Sequence, residues 1–510
     1  MLFPRLFLQS ARRTPERTAL VELHTDETYS YQALAEEACS MAAAFKKNGV
    51  DKGDRIAICA GNRLENVTTY LATQLIGAVA VPFNFRSPAG GVTYHVNDAN
   101  ADILLFDSLS EEAVSGAIET IDVTCLFAGH DGPPWAEVYD DWKQTPPIDP
   151  TVTVTGDDLS VILYSSGTTG DPKGIPITHR NATSRIMTNS LGQHYYLGET
   201  ISGAMPLYHT VGLHGVLGCV LGMSGTYLTM PSFEPERYTM AIESYDVTAL
   251  HEAPTIFRSM LDTDAIDSID VSSVRTLGFS GAPMNTKTFT ELQSVFDPDH
   301  FANLYGTTEV YGTLAYVDLQ DIDNPGVVGK ANVFIETRLV ELNSNDPSAE
   351  VEQGEEGELI VNTESPASFT GYLNKPAKTT AAIHDGWFFT GDAMFEREDG
   401  NLVITGRADD VIISGGENIH PANVEDILAG HPQVNDVGVI GVPDERMGEI
   451  VFAFIDAHDQ LTTDDIDQWC LDHEELADFM RPRGYEFVDE LPRNPSGKVL
   501  RYKLREAKVN

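Results

Sequence analysis

Apolar residues along the first half of this chain recur in two alternating rhythms. A helical period over 32–47, opened by Ser30 as N-cap, is followed by an apolar run over 55–60 that predicts a buried strand. A helical stretch over 64–76 and strands over 78–83 and 102–106 continue the series. Strands alternating with helices predict βαβ crossovers and a largely parallel sheet. Residues 113–150, rich in proline and acid, read as a surface connection to the next strand, 159–163. Further strand patterns cover 276–279, 355–362, 402–405, 437–442 and 450–455, and a helical run begins near 463. The class is therefore α/β, with a large N-terminal domain of βαβ subdomains and mixed sheets over 1–406 and a small, mobile α/β domain over 407–510.

Composition narrows the setting. Seventy-seven acidic residues face 33 basic ones, of which only 12 are lysine, and the net charge is −44. Self-repulsion at this density strains a compact fold at low ionic strength. At about 1 M salt the Debye length is only about 3 Å, so the composition predicts a halophilic protein of a salt-rich cytoplasm. No basic patch offers itself to nucleic acid, which disfavours that partner. The five scattered cysteines form no CxxC pair, so neither a zinc site nor a disulfide framework is expected. The partly apolar N-terminus reads as a short amphipathic helix rather than a signal peptide, and no window is apolar enough for an integral membrane segment.

Candidate chemistry concentrates in Tyr164-Ser-Ser-Gly-Thr-Thr-Gly-Asp-Pro-Lys-Gly174, directly after a strand pattern. Gly167, Gly170 and Gly174 let backbone N–H groups converge. Ser165, Ser166, Thr168 and Thr169 add hydroxyls and Lys173 a positive charge, which makes a cradle for a polyphosphate. It is not a Walker loop, because Pro172 stands where that pattern needs its second glycine. In Tyr305-Gly-Thr-Thr-Glu309 the tyrosine can stack on a base, Thr308 can donate to a phosphate, and Glu309 offers an oxygen ligand to Mg²⁺. The small residues Ser280, Gly281, Ala282 and Pro283 let a flat ring approach the backbone. Lys498 lies in a Pro/Gly loop near the C-terminus, from which it can reach a carboxylate and a phosphate together.

These motifs, in this order from about residue 10 onward, resemble the adenylate-forming superfamily of acyl-CoA synthetases, adenylation domains and beetle luciferases. Three runs are similar to those of 4-chlorobenzoate:CoA ligase and related aryl-CoA ligases: Pro206-Leu-Tyr-His-Thr-Val-Gly212, Ile412-Ile-Ser-Gly-Gly-Glu-Asn-Ile-His-Pro421 and Glu475-Leu-Ala-Asp-Phe-Met-Arg-Pro482. The resemblance implies the adenylate-forming enzyme fold, with ATP, Mg²⁺ and coenzyme A. It places His209 beside the carboxylate substrate, Ser280–Pro283 against adenine, and Gly306 and Thr307 along the nucleotide. It puts Asp392 on the ribose hydroxyls, Arg407 near ribose and phosphate, and Asp409 at the domain hinge. Gly415 and Gly416 then border the passage of a pantetheine arm, and Arg86, Phe479 and Arg481 lie near the CoA nucleotide, with Met447 replacing a tryptophan. The acyl pocket falls to Thr188, His209, His251, Ser280, Leu304, Gly306, Tyr311 and Gly312. Thr188 stands where the chlorobenzoate ligase has an aromatic wall, and His251, Ser280, Tyr311 and Gly312 also differ from it, so a more polar or roomier pocket is expected.

The expected reaction is ATP-dependent, AMP-forming ligation of a carboxylic acid to CoA through an acyl-adenylate, with an aryl acid favoured. The alternatives are a medium- or long-chain fatty acyl-CoA synthetase and a stand-alone adenylation enzyme that loads a carrier protein. Expected partners are the small acid, ATP and CoA, in a cytoplasmic homodimer.

Overall fold

A computed structural model describes residues 1–149, 153–165, 172–319, 326–415, 417–444, 446–458, 461–473, 476–493 and 499–509, with backbone alone at 409 and 509. The chain forms two compact units. One comprises Met1–Ser165, Lys173–Thr337 and Val361–Gly386; the other comprises Ser166–Pro172, Arg338–Ile360 and Trp387–Asn510.

The first unit holds two sheets. A seven-stranded sheet has the order Glu137–Val138, Thr124–Phe127, Ile103–Phe106, Arg55–Cys59, Val79–Pro82, Leu159–Ser165, Lys173–Thr178. Its neighbours run parallel, except the last two strands, which form an antiparallel hairpin. Ile103–Phe106 and Val79–Pro82 are buried at every position, as strands covered on both faces must be. The second sheet runs Val327–Ala331, Ala315–Asp318, His300–Tyr305, Thr276–Phe279, Ala249–Glu252, Thr200–Gly203, Thr226–Thr229, Thr18–Glu22, Glu27–Ser30. It is parallel through its centre and antiparallel at both ends. Asn62 ties the two sheets: its Nδ2 donates to the Met205 carbonyl at 2.9 Å and its Oδ1 accepts from the Leu207 N–H at 2.9 Å.

The expected early elements form. Helix Tyr31–Lys47 starts at Ser30, whose Oγ accepts the Ala33 N–H at 3.2 Å and satisfies one of the open donors of the first turn. The N-terminal helix Phe3–Arg13 is amphipathic and turns Phe3 and Phe7 fully inward. Residues 113–149 depart from the surface connection expected over 113–150. Thr124–Phe127 and Glu137–Val138 extend the seven-stranded sheet, and Tyr139 and Trp142 are buried. The apolar run Cys125-Leu-Phe127 is too short to stand out among prolines and acids. Packing against Phe106, with ring centroids 5.4 Å apart, is what holds it inside.

In the second unit Trp387–Glu396 pairs antiparallel with Leu402–Arg407. A further sheet runs Glu417–Ile419, Ile412–Ser414, Gly448–Ala457, Val434–Asp444, with Gly484–Phe487 parallel to Gly448–Ala457. It shares a core with helices Pro421–Ala429 and Thr463–Asp472 around Val424, Leu428, Val439, Ala453 and Ile466. All five cysteines, Cys39, Cys59, Cys125, Cys219 and Cys470, are unpaired and buried, and burial raises every thiol, Cys39, Cys125 and Cys219 to about 11. No helix among the described residues is long and apolar enough to cross a membrane.

Candidate active site

In the first unit the motifs expected to face a nucleotide leave neighbouring parallel strands at their carboxyl ends. Thr276–Phe279 leads into Ser280, Gly281, Ala282 and Pro283, and His300–Tyr305 leads into Gly306, Thr307, Thr308 and Glu309. That edge of an open α/β sheet is where ligands bind. Gly281, Ala282, Pro283 and Gly306 are exposed, and Tyr305, Thr307, Thr308 and Glu309 are half-buried. The loop after Tyr305 is held from behind: Glu309 O accepts from Phe369 N–H at 2.9 Å, and Ala367 O accepts from Tyr311 N–H at 2.7 Å.

The same segment supplies Tyr372. Its hydroxyl donates to Oε1 of Glu309 at 3.0 Å, and the Lys173 ammonium lies 4.7 Å from its ring centroid. Lys173 opens the strand opposite Ser165, its partner in the hairpin. One tyrosine thus joins the expected metal carboxylate to the expected phosphate-loop lysine. Sequence reading missed it, because a lone aromatic in Gly371-Tyr-Leu-Asn374 carries no motif of its own. Ser166, Gly167, Thr168, Thr169 and Gly170 lie outside the described residues.

The expected acyl-pocket residues fall into contacting groups. His251 Nε2 meets Ser280 Oγ at 3.0 Å, and both are buried. Thr188 Oγ1 donates to Ser184 O at 2.9 Å and accepts the Thr313 N–H at 3.3 Å, next to Gly312. Leu304 packs on Gly192. Tyr311 is wholly buried, and its hydroxyl meets His214 Nδ1 at 2.5 Å while Tyr70 OH meets His214 Nε2. His214 sits on a wide helical turn, Val211–Leu217, of the π type that recurs at functional sites. His209, just before it, packs its ring 4.5 Å from that of Tyr208. Burial lowers His209 to about 4 and His251 to about 3, so both imidazoles are neutral at pH 7. Tyr70 and His214 had no sequence signal beyond being aromatic.

The second unit carries its own pair. Nη1 of Arg407 donates to Asp392 Oδ1 and to the Thr390 carbonyl, each at 2.9 Å. At Gly391, where φ is +72°, a Cβ would stand 2.1 Å from Nη2 of Arg407, so the arginine reaches the aspartate only past a glycine. The Gly415 N–H donates to the Met447 carbonyl at 2.8 Å, and the methyl of Met447 lies over Gly415. Phe479 is exposed, whereas Arg481 is already paired with Asp467 and Asp478. Arg86 belongs to the first unit, exposed beside Phe85, 4.8 Å from that ring. Lys498, Gly416 and the side chain of Asp409 lie outside the described residues.

Comparison with known proteins identifies the family. The family described as AMP-binding enzyme matches residues 7–373, and the AMP-binding enzyme C-terminal domain matches 423–498. A 4-chlorobenzoate–CoA ligase from Arthrobacter sp is 34% identical over 98% of this chain and 93% of its own length. A feruloyl-CoA synthase from Amycolatopsis sp is 31% identical over 98% and 97%. Among solved structures, ATP-bound MatB from Rhodopseudomonas palustris superposes with a TM-score of 0.85 at 28% identity, over 99% of both chains.

Proposed function

The chain belongs to the AMP-binding enzyme family and is an AMP-forming acid–CoA ligase, and on that premise we propose that it joins an aryl, benzoate-like acid to CoA through an acyl-adenylate. The observation that carries the reading is Tyr372, which links Glu309 to Lys173. The relatives that act on chlorobenzoate and ferulate support the aryl preference.

In the first half-reaction an oxygen of the substrate carboxylate bonds to the α-phosphorus of ATP, and the bond to pyrophosphate breaks. Lys173 and Lys498 offset the phosphate charge, Thr308 donates to a phosphate oxygen, and Tyr305 stacks on adenine. Glu309 suits Mg²⁺: Tyr372 occupies one carboxylate oxygen, and the other can join substrate phosphates around the ion. No cluster of three or more ligating side chains among the described residues offers a cage elsewhere. The ion would supply positive charge to the phosphate oxygens. Neutral His209 gives the acid a polar wall that adds no charge. The paired Asp392 and Arg407 orient the ribose. In the second half-reaction the CoA sulfur bonds to the acyl carbon and AMP leaves. The two steps need different groups at one place, which a swing about Asp409 would supply.

The test is AMP release that requires ATP, CoA and acid together, at high salt, over benzoates and fatty acids. Benzoates are expected to lead. A lead by fatty acids would overturn the aryl reading, and AMP release without need for CoA would favour loading of a carrier protein. A cytoplasmic homodimer accompanies the proposal, and sedimentation at high salt checks the dimer.

A further inference from the structure

Arg185 is the one arginine that the fold buries without giving it an anion among the described residues. It lies on helix His179–Gly192 and is 3% exposed. Its Nη1 donates to Thr313 Oγ1 at 3.2 Å, and its Nε has no partner. The Thr313 hydroxyl donates a hydrogen bond to Asn189 Oδ1 at 3.2 Å, and Asn189 Nδ2 donates to the Gly215 carbonyl at 2.6 Å, so these surrounding partners are neutral. A Cβ at Gly215 would stand 3.0 Å from Nη2, so the guanidinium lies directly against the wide helical turn. No carboxylate of the described residues forms an ion pair with it.

The guanidinium sits among the acyl-pocket residues. Thr188 follows three positions later on the same helix face, and Thr313 follows Gly312. Its field reaches Tyr311, His214 and His251, helping burial to lower His214 and His251 to about 3. A guanidinium does not shed its proton in a protein. Burying such a charge unpaired is strongly unfavourable, and a methionine of similar length would fill the space without that cost. The unpartnered Nε–H beside Nη2 suits a planar anion, which a guanidinium can hold with two parallel hydrogen bonds.

We propose that the acid this enzyme activates carries a second anionic group, a carboxylate at the far end of its acyl part, and that Arg185 receives it. This rests on the ligase reading above and deepens it. The carboxylate that reacts belongs beside the α-phosphate, near Thr308 and Glu309. The group at Arg185 is therefore a different one on the same molecule. The acid is dianionic, with its far charge buried against Arg185 and the neutral side chains around it.

The experiment is ATP–pyrophosphate exchange by the full chain at high salt with matched acids: benzoate against isophthalate and terephthalate, and hexanoate against adipate. Wild type should favour the dianionic member of at least one pair by on the order of 100-fold in kcat/KM. Arg185→Met should bring that ratio to about one, mainly through KM, and Arg185→Lys should restore part of it. A wild-type ratio near or below one in every pair overturns the proposal, and needs no variant to fold. So does a ratio that survives Arg185→Met, or equal losses for both members, which would mean that Arg185 supports the fold or serves the reacting carboxylate. If no acid of either kind drives exchange, the ligase reading itself fails and this inference falls with it.

Discussion

The phenolic hydroxyl of Tyr372 donates to the carboxylate of Glu309 across 63 residues of sequence. Hydrogen bonds to charged groups contribute about 1.5–3 kcal/mol. Tyr372→Phe keeps the ring under Lys173 but frees the carboxylate to turn. We expect kcat/KM for ATP to fall by about 10-fold or more, with a higher Mg²⁺ requirement and unchanged melting. Exchange assays over a magnesium series would read this. An unchanged magnesium dependence would show that Tyr372 does not act through a magnesium-holding Glu309.

Lys498→Ala should divide the two half-reactions. Adenylate formation should drop on the order of 100-fold or more, while thioester formation from supplied acyl-AMP stays within a few-fold of wild type. Single-turnover assays of each step decide it, and equal loss in both would end the idea of alternating roles.

Glu252 closes the strand Ala249–Glu252 fully buried, with the Ala204 N–H and Tyr238 hydroxyl donating to it. Burial pushes its carboxyl from 4.5 up to about 8. The folded chain therefore keeps a proton that the unfolded chain has released. The associated stability is full below the unfolded value of 4.5 and is lost as pH rises through about 8. Glu252→Gln cannot titrate, so its melting temperature should gain on wild type steadily between those two values. Parallel melting curves across that range would show that Glu252 does not titrate there.

Gly391→Ala should break the Asp392–Arg407 pair, because the new methyl takes the space of Nη2. The strained φ alone costs on the order of 1–3 kcal/mol. We expect a lower melting temperature and a raised KM for ATP, with CoA kinetics changed less. A melting curve identical to wild type would show that the arginine has another path.

Salt should act on the whole chain. Raising KCl from about 0.1 M to about 1 M shortens the Debye length from about 10 Å to about 3 Å. With a net charge of −44 the melting temperature should climb by several degrees. A melting temperature that is flat or falls with salt would remove the halophilic reading.

What was legible in the sequence follows from how local each signal is. Ser30 and the helix after it could be read because cap and period lie within a few turns. The carboxyl-end motifs could be read because glycines, hydroxyls and a carboxylate are concentrated in short runs. Thr124–Phe127 was missed because only its place beside Ile103–Phe106 makes it a strand. Arg185 was missed for a similar reason. Its want of an anion is a property of residues 128 positions away, at Thr313, and of a helix that widens at Gly215. Glu252, too, reads as a polar strand end until the neighbouring strands close over it.

The five enclosed thiols give the protein a practical property. With every sulfur shielded and its thiolate suppressed, the wild-type chain should resist maleimides and iodoacetamide at neutral pH without any cysteine being replaced. A single cysteine introduced on the surface of each unit would then be the preferred point of attachment for a fluorophore. The distance between two such dyes, followed during turnover, would report directly whether the tail swivels as acyl-AMP gives way to thioester.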